Sequence, residues 1–209
     1  MHKPDEITGL NEEVWDSRAE KYDTFFGFTR WTLRKLFSLV SLGDNPRLLD
    51  LACGTGSALR YAATLCNGRG EFYGVDNSTQ MIRVAKTKAK SYTNLHFSKS
   101  RVEELPFESG FFDVVISSYA FHHFSDPEKP LKEANRVLKR NGKLYVLDTA
   151  ANNAFMRVLD KFSRAIEPAH VKLYSTREFE ALFETAGLRY NASKRIFPAI
   201  FVHIAEKQI

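Results

Sequence analysis

Helical and strand-like patterns of apolar residues alternate along most of the chain. Two segments with apolar residues three and four apart come first, from about Asn11 to Phe26 and from Thr29 to Leu42. Beyond them, helical segments at 57–65, 78–89 and 127–142 are interspersed with short apolar runs at 47–52, 71–75, 95–98, 112–117 and 143–147. This order predicts an α/β fold with helices on both faces of a doubly wound, mostly parallel sheet.

Local signals define some of the helix ends. Ser78 is placed to cap the helix that follows it, and the 127–142 helix, with Leu138 on its core face, should end at Asn141-Gly142. Ser175 and Glu178 have the spacing of a capping box. Two strands should end the chain, at 189–197 and 199–205. Because the break between them is too short for a helical crossover, we expect them to be antiparallel.

Composition limits the class of protein. The 209 residues, 44% of them apolar, are enough for one core, so we expect a single domain over 1–209. No apolar run approaches the roughly 20 residues that a membrane span needs, and the N-terminus does not resemble a signal peptide. The two cysteines, Cys53 and Cys66, match neither a disulfide framework nor a set of metal ligands. We therefore expect a soluble, cytoplasmic protein that binds no metal.

The formal net charge of +5 would suit an anionic partner. The basic residues are spread along the chain, however, and their densest groups lie at predicted helix ends, where they complement the helix dipole. We therefore do not expect nucleic-acid binding. The sequence leaves the oligomeric state open.

Glycines and an acidic residue follow the first two predicted strands. Gly54 and Gly56 lie in a turn that leads directly into a helix, where backbone can approach a ligand and unpaired N–H groups can face a negative charge. Asp76 ends the second strand, 22 residues after Gly54. That spacing suits an acid that accepts hydrogen bonds from the two ribose hydroxyls of a nucleoside.

The charge pattern distinguishes two kinds of nucleoside ligand. A nicotinamide dinucleotide requires a third glycine where this chain has Leu59. S-adenosylmethionine has no phosphate, and its carboxylate suits the helix N-terminus while its ammonium and sulfonium suit a nearby acid, which Asp50 supplies. The alternative for Asp50 is a structural role, in which it ties down the glycine turn through backbone hydrogen bonds.

Four segments resemble, in order, the motifs of class I S-adenosylmethionine-dependent methyltransferases. They are LLDLACGTG from Leu48, YGVDNSTQMIRVAKTKA from Tyr73, VEELPFESGFFDVVISSYAFHHF from Val102 and PLKEANRVLKRNGKLYVLD from Pro130. The resemblance is strongest to the branch with the ubiquinone and menaquinone biosynthesis enzymes, and Ala52 keeps the small residue found before their Cys-Gly pair. It implies a seven-stranded Rossmann-like sheet with an antiparallel last pair.

The same resemblance implies which residues surround the methionine part of the cofactor. Asp50, Cys53 and Gly54 would line it, and Gly56 would open the helix beneath. Ser117, at the end of the fourth strand, would border the cofactor near its sulfur.

The nucleoside would be held by the second group of matching residues. Asp76 would bind the ribose diol, Asn77 and Met81 would flank the adenine, and the backbone N–H of Val102 would face a ring nitrogen. The chain departs from the pattern at Arg101, where many relatives have an acid that accepts the adenine amino hydrogens. Backbone carbonyls or Glu103 would have to replace it.

Two segments outside these motifs should complete the site. Tyr22 and Asp23 match an N-terminal segment that closes over the cofactor, so residues 1–45 should form helices and a lid. For Trp15 the alternative is a plain amphipathic helix packed on the sheet. Residues 149–174 form the longest insertion and should cap a substrate pocket, with apolar residues at helical spacing.

His122 is the candidate catalytic residue. It follows the fourth strand, and a histidine has a pKa suited to removing a proton from an oxygen or nitrogen acceptor. The alternative is a histidine that only bonds backbone at a turn. The 17 phenylalanines suggest a small apolar or aromatic acceptor. An RNA, DNA or protein methyltransferase and a non-catalytic module that binds S-adenosylmethionine remain the alternative functions.

Overall fold

Seven strands form one sheet in the computed structural model, which describes residues 4–22, 26–167 and 169–208. The strand order is β3-β2-β1-β4-β5-β7-β6. The strands are β1 (Arg47–Leu51), β2 (Glu71–Asp76), β3 (Leu95–Lys99), β4 (Phe112–Ser118), β5 (Leu138–Thr149), β6 (Leu188–Phe197) and β7 (Ile200–Lys207).

The first five strands pair in parallel, whereas β7 is antiparallel to both β5 and β6. The predicted doubly wound sheet with an antiparallel last pair is therefore confirmed. β4 lies between β1 and β5 and is buried over most of its length, as its continuous apolar sequence predicts.

Helices cover both faces of the sheet. They are α1 (Pro4–Arg18), α2 (Phe26–Phe37), α3 (Ser57–Leu65), α4 (Thr79–Lys88), α5 (Glu128–Val137), α6 (Ala154–Ile166) and α7 (Thr176–Thr185). Side chains that alternate along each strand build a core on each face, so Leu48 packs with α2, α3 and α4 while its neighbour Leu49 packs with α5 and α7. None of the helices within the described ranges is long and apolar enough to cross a bilayer.

The predicted caps at Ser78 and Ser175 are confirmed, but the bounds of three predicted helices are wrong. Ser78 caps α4, and Ser175 and Glu178 form a capping box at α7. The first two helices start and end earlier than predicted. The third error is at Leu138, which opens β5 instead of continuing α5, because it pairs with Phe112 across an irregular stretch of β4.

Candidate active site

The turn after β1 has an alternating left-handed backbone. Ala52, Gly54 and Gly56 have φ angles of 57°, 52° and 75°. A Cβ on Gly54 would meet nothing closer than the ring of Tyr22 at 3.7 Å, whereas a Cβ on Gly56 would lie 2.6 Å from the ring of Phe97. The two glycines therefore differ: Gly54 leaves space for a ligand beside the backbone, and Gly56 allows the turn to pack against β3.

Asp76 joins this turn to the start of α4. Its carboxylate accepts hydrogen bonds from the backbone N–H of Gly54 at 2.8 Å and of Ser78 at 2.9 Å. Burial raises the pKa of Asp76 to about 6, although these two hydrogen bonds act in the opposite direction. Each carboxylate oxygen keeps a further lone pair, so Asp76 can still accept from ligand hydroxyls.

Asp50 is a buried acid whose charge is not compensated. It is 1% exposed, and neither of its carboxylate oxygens has a hydrogen-bond partner within the described ranges. Burial, reinforced by the charge of Asp76, raises the pKa of Asp50 well above its usual value. The structural alternative for Asp50 fails, because its oxygens accept no backbone N–H from the turn. Two neighbouring acids in this state favour a cationic ligand group.

A cleft of about 760 Å³, its open mouth included, lies above this turn. Eight of the twelve predicted cofactor residues line it: Tyr22, Ala52, Gly54, Asp76, Asn77, Met81, Arg101 and Val102. The other four do not border the cleft: Asp50, Cys53, Gly56 and Ser117. Asp23 lies outside the described residues.

Several lining residues had not been predicted. Ser118 ends β4 and Tyr119 and Ala120 follow it, so the rule that ligands bind at the carboxyl ends of strands could have found them. Glu103, which the sequence offers as a replacement for the acid missing at Arg101, lines the cleft as well, and its carboxylate lies 3.6 Å from the Arg101 guanidinium.

Helix α1 closes one side of the cleft through polar contacts. Asp16 accepts from the Ser78 hydroxyl and, at 3.0 Å, from the backbone N–H of Gln80. Glu12 pairs with Lys99. Trp15 packs partly buried against Ala19, Met81 and Val84, and it also lines the cleft. Nothing in the sequence spacing of α1 signals these contacts.

His122 is held by Asp148, which lies near the end of β5. The Nδ1 of His122 lies 2.7 Å from Oδ1 of Asp148, and its backbone N–H donates to Oδ2 at 3.1 Å. Asp148 also accepts from the N–H of Thr149 at 2.7 Å. This arrangement leaves Nε2 of His122 as the ring nitrogen available to a ligand.

The contact between His122 and Asp148 shifts the pKa of both groups. Burial alone would lower the pKa of His122, but the charge and hydrogen bond of Asp148 outweigh it and raise that pKa above its usual value. Burial alone would raise the pKa of Asp148, but the His122 charge and three hydrogen bonds lower it. The pKa of the adjacent His123 falls to about 3, chiefly because the ring is buried.

His122 borders a second cavity and not the cleft itself. The residues that line this cavity are Trp15, His122, His123, Ser163, Ile166, Glu167 and His170. Trp15 and His123 line both spaces, so the two adjoin. The predicted cap therefore borders this second cavity, through the C-terminal end of α6 and the residues after it.

A short strap after α6, residues 169–173, fixes the backbone of His122. Its carbonyl oxygen accepts from the N–H of Val171 at 3.0 Å and of Lys172 at 3.1 Å. The side chain of His123 is held by the same segment, since its Nδ1 donates to the carbonyl oxygen of Ala169 at 2.6 Å. The cavity can thus hold a small molecule against a fixed imidazole, next to a cleft suited to a cationic nucleoside.

Comparison with known proteins gives matches over most of the chain. A family model described as a methyltransferase domain matches residues 49–146. The uncharacterised methyltransferase YcgJ of Bacillus subtilis is 36% identical over 188 residues, which are 86% of this chain and 72% of the relative. The ubiquinone/menaquinone biosynthesis C-methyltransferase UbiE of Wigglesworthia glossinidia brevipalpis is 25% identical over 99% of this chain and 82% of its own. A SAM-dependent methyltransferase from Aquifex aeolicus has the same fold, with a TM-score of 0.70, 22% identity and 99% of both chains covered.

Proposed function

The chain belongs to the S-adenosylmethionine-dependent methyltransferases, and we propose that it methylates a small apolar or aromatic molecule that carries an ionisable hydroxyl group. The single observation that carries this proposal is the His122–Asp148 pair, which faces a second cavity directly beside the cofactor cleft. The cofactor, S-adenosylmethionine, supplies a methyl group that is already activated for transfer by its sulfonium.

The residues of the cleft fit this cofactor. Asp76 would accept from the ribose hydroxyls, and Met81 and Asn77 would flank the adenine. Gly54 would let the backbone approach the methionine part. Asp50 lies beneath the turn, where its uncompensated carboxylate would attract the ammonium and sulfonium through a short distance of low-dielectric protein.

The second cavity would hold the acceptor. Trp15 and Ile166 give it apolar surface, and His122 gives it one fixed proton acceptor. In its neutral form His122 would take the hydroxyl proton at Nε2, while Asp148 stabilises the imidazolium that forms. Deprotonation would make the hydroxyl oxygen, or a ring carbon conjugated with it, the nucleophile for the methyl group; a ring carbon would also have to lose its own proton to restore the aromatic ring. Alignment of the two ligands where the cleft and the second cavity adjoin, beside Trp15 and His123, would supply the rest of the rate acceleration.

The UbiE relative is named as a C-methyltransferase of ubiquinone and menaquinone biosynthesis. That name supports a phenol- or quinol-like acceptor here, because such molecules combine an apolar ring with an acidic hydroxyl. Transfer to nucleic acid has less support, since acidic Glu167 lies on the wall of the second cavity.

A panel of acceptors tests the proposal by release of S-adenosylhomocysteine from the purified protein. It should contain alkyl-substituted phenols and hydroquinones, small amines, RNA, DNA and a protein mixture. We expect turnover with hydroxyl-bearing aromatic molecules and none above background with the macromolecules. Turnover restricted to RNA, DNA or protein would overturn the proposal. Cofactor binding by calorimetry without turnover on any acceptor would instead identify a binding module.

A further inference from the structure

Helix α6 turns its most apolar face towards solvent. The side chains of this face are spaced three and four residues apart, so they form one stripe along the helix. Their exposed fractions are 73% for Phe155, 52% for Val158, 43% for Leu159, 63% for Phe162 and 80% for Ile166. A helix on the surface of a globular protein normally has the opposite arrangement, with the apolar stripe on the core.

Polar anchoring explains this orientation. The inner face of α6 is defined by Met156 and by the buried Asp160. Asp160 accepts from Nε2 of His170 at 2.8 Å and from the N–H of Leu173 at 2.7 Å, and it also pairs with Arg164. Because the helix is attached through this carboxylate, the apolar stripe is left without protein contacts that would bury it.

A second exposed apolar group lies at the same edge of the sheet. Phe28 and Trp31 of α2 contact Phe197 of the β6–β7 turn, with ring centroids 5.5 Å and 6.2 Å apart. All three side chains are between 38% and 49% exposed. The β6–β7 turn reaches the carboxyl end of β5, from which α6 follows, since the N–H of Ala150 donates to the carbonyl of Ala199 at 2.8 Å.

Both of these helices are also basic. α2 has three basic residues and no acidic one, and α6 has three basic residues and one acidic residue, the buried Asp160. Their combined charge equals the whole formal net charge of +5, so the rest of the chain is balanced. On α6, Arg157 and Lys161 are exposed and have no acidic partner within the described ranges.

We propose that α6 and the aromatic group of Phe28, Trp31 and Phe197 dock onto a bilayer surface that contains anionic lipids. A helix with large apolar side chains on one face and Lys or Arg on its polar face lies in the plane of the headgroups, with its apolar face in the acyl boundary. Ile166 belongs both to this face and to the second cavity. Where the proposed function holds, docking therefore brings the cavity next to a source of apolar acceptors.

The charge disfavours a second copy of the chain as the occupant. A symmetric dimer through this face would bring together two copies of the same net-positive helices, α2 and α6. Such like-charge contact disfavours association, whereas anionic headgroups satisfy both the charge and the apolar surface.

Flotation with vesicles tests the proposal without any turnover. The protein, without acceptor, is mixed with vesicles of phosphatidylcholine alone or with 30% phosphatidylglycerol. We expect binding to the anionic vesicles at least tenfold stronger than to the neutral ones. Phe155→Ser with Phe162→Ser, and separately Arg157→Gln with Lys161→Gln, should each weaken that binding tenfold or more. The matched controls are Leu65→Ser, at an apolar residue 46% exposed, and Lys86→Gln with Lys90→Gln, at two exposed basic residues outside both helices.

Three outcomes would overturn the proposal. The first is no difference between the two kinds of vesicle, and the second is equal loss of binding in the control variants. The third is a dimer by light scattering that dissociates in the Phe155 and Phe162 variant, which would assign the face to a second copy. Calorimetry with S-adenosylmethionine on the same samples checks that each variant is folded, and it separates this proposal from the proposed methyl transfer.

Discussion

Asp148→Asn tests how the position and charge of His122 are set. Asp148 is 1% exposed and accepts three hydrogen bonds, two from His122 and one from Thr149. Asparagine keeps the shape of the side chain but loses its charge. Its amide NH2 group also places N–H donors where one carboxylate oxygen of Asp148 accepted a hydrogen bond. His122 would keep its place in the turn, because Val171 and Lys172 still bind its carbonyl oxygen.

The magnitude follows from the loss of a charge-assisted hydrogen bond. Such a bond to a charged group contributes about 1.5–3 kcal/mol, which corresponds to roughly one to two pKa units on His122. In the native protein burial alone would lower the pKa of His122, and Asp148, with smaller contributions from the charges of Asp160 and Glu167, outweighs burial and raises it. Without the charge of Asp148, burial dominates, so the pKa of His122 should fall below its usual value.

The assay is the pH dependence of kcat/KM with the best acceptor found in the panel. A base acts only when it is unprotonated, so native activity should rise with pH through a pKa above about 6.5. In the Asp148→Asn variant this acidic limb should move to lower pH, and the plateau should fall roughly tenfold or more because the imidazolium loses its partner. His122→Gln should lower kcat/KM about 10²-fold and abolish the acidic limb of its pH profile.

Stability provides a separate readout of the same pair. The raised pKa of His122 stabilises the fold below the unfolded pKa of histidine, and this contribution disappears as pH rises through the folded value. The lowered pKa of Asp148 stabilises the fold above about pH 4, and this contribution disappears as pH falls. The difference in Tm between the native protein and the Asp148→Asn variant should therefore be largest in mildly acidic solution. An unmoved acidic limb with a lower Tm would refute the catalytic interpretation and leave a structural histidine.

Two further predictions concern the cofactor cleft. Asp76→Asn should weaken the binding of S-adenosylmethionine about tenfold or more, as measured by calorimetry. In the native protein this affinity should fall as pH drops through about 6, where Asp76 takes up a proton. A constant affinity from pH 5 to 8 would contradict this. Gly56→Ala should destabilise the fold by about 2 kcal/mol or more, because its Cβ would lie 2.6 Å from Phe97 and its φ is left-handed. Gly54→Ala is the matched variant, with the same kind of φ but open space around it, so it should cost about 1 kcal/mol and mainly weaken cofactor binding. Equal changes in Tm for the two alanine variants would disprove the distinction between the glycines.

Periodicity predicts the sheet well because the strands other than β6, which is buried only at Leu188, bury apolar residues on one or both faces. Helix α1 was placed too far along the chain for the opposite reason. It is attached through Asp16 to the start of α4 and through Glu12 to Lys99 at the end of β3, and polar contacts with distant residues leave no periodic signal. The glycine turn was found from spacing, but spacing alone could not show that Gly56 faces Phe97 instead of the cleft.

The partner of His122 could have been found from the sequence. Asp148 lies near the end of β5, and the carboxyl ends of neighbouring parallel strands meet at one edge, so an acid there should lie close to the turn after β4. The direction of the apolar stripe on α6 could not have been found in that way. Helical spacing identifies the stripe, but only the hydrogen bonds of Asp160 determine which side of the helix packs on the protein.

The strap at 169–173 connects these two features. Asp160 of α6 accepts hydrogen bonds from His170 and Leu173, which lie near the two ends of the strap. Between these two residues, the N–H groups of Val171 and Lys172 hold the backbone of His122. The strap has no helical or strand hydrogen bonding of its own, so its position depends on these contacts at both sides. The buried carboxylate that turns the apolar stripe outward is thus the same group that positions the wall of the second cavity. The hydrogen bonds of Asp160 therefore account both for the exposed apolar surface of α6 and for the position of the strap that binds the backbone of His122, while Asp148 orients its imidazole.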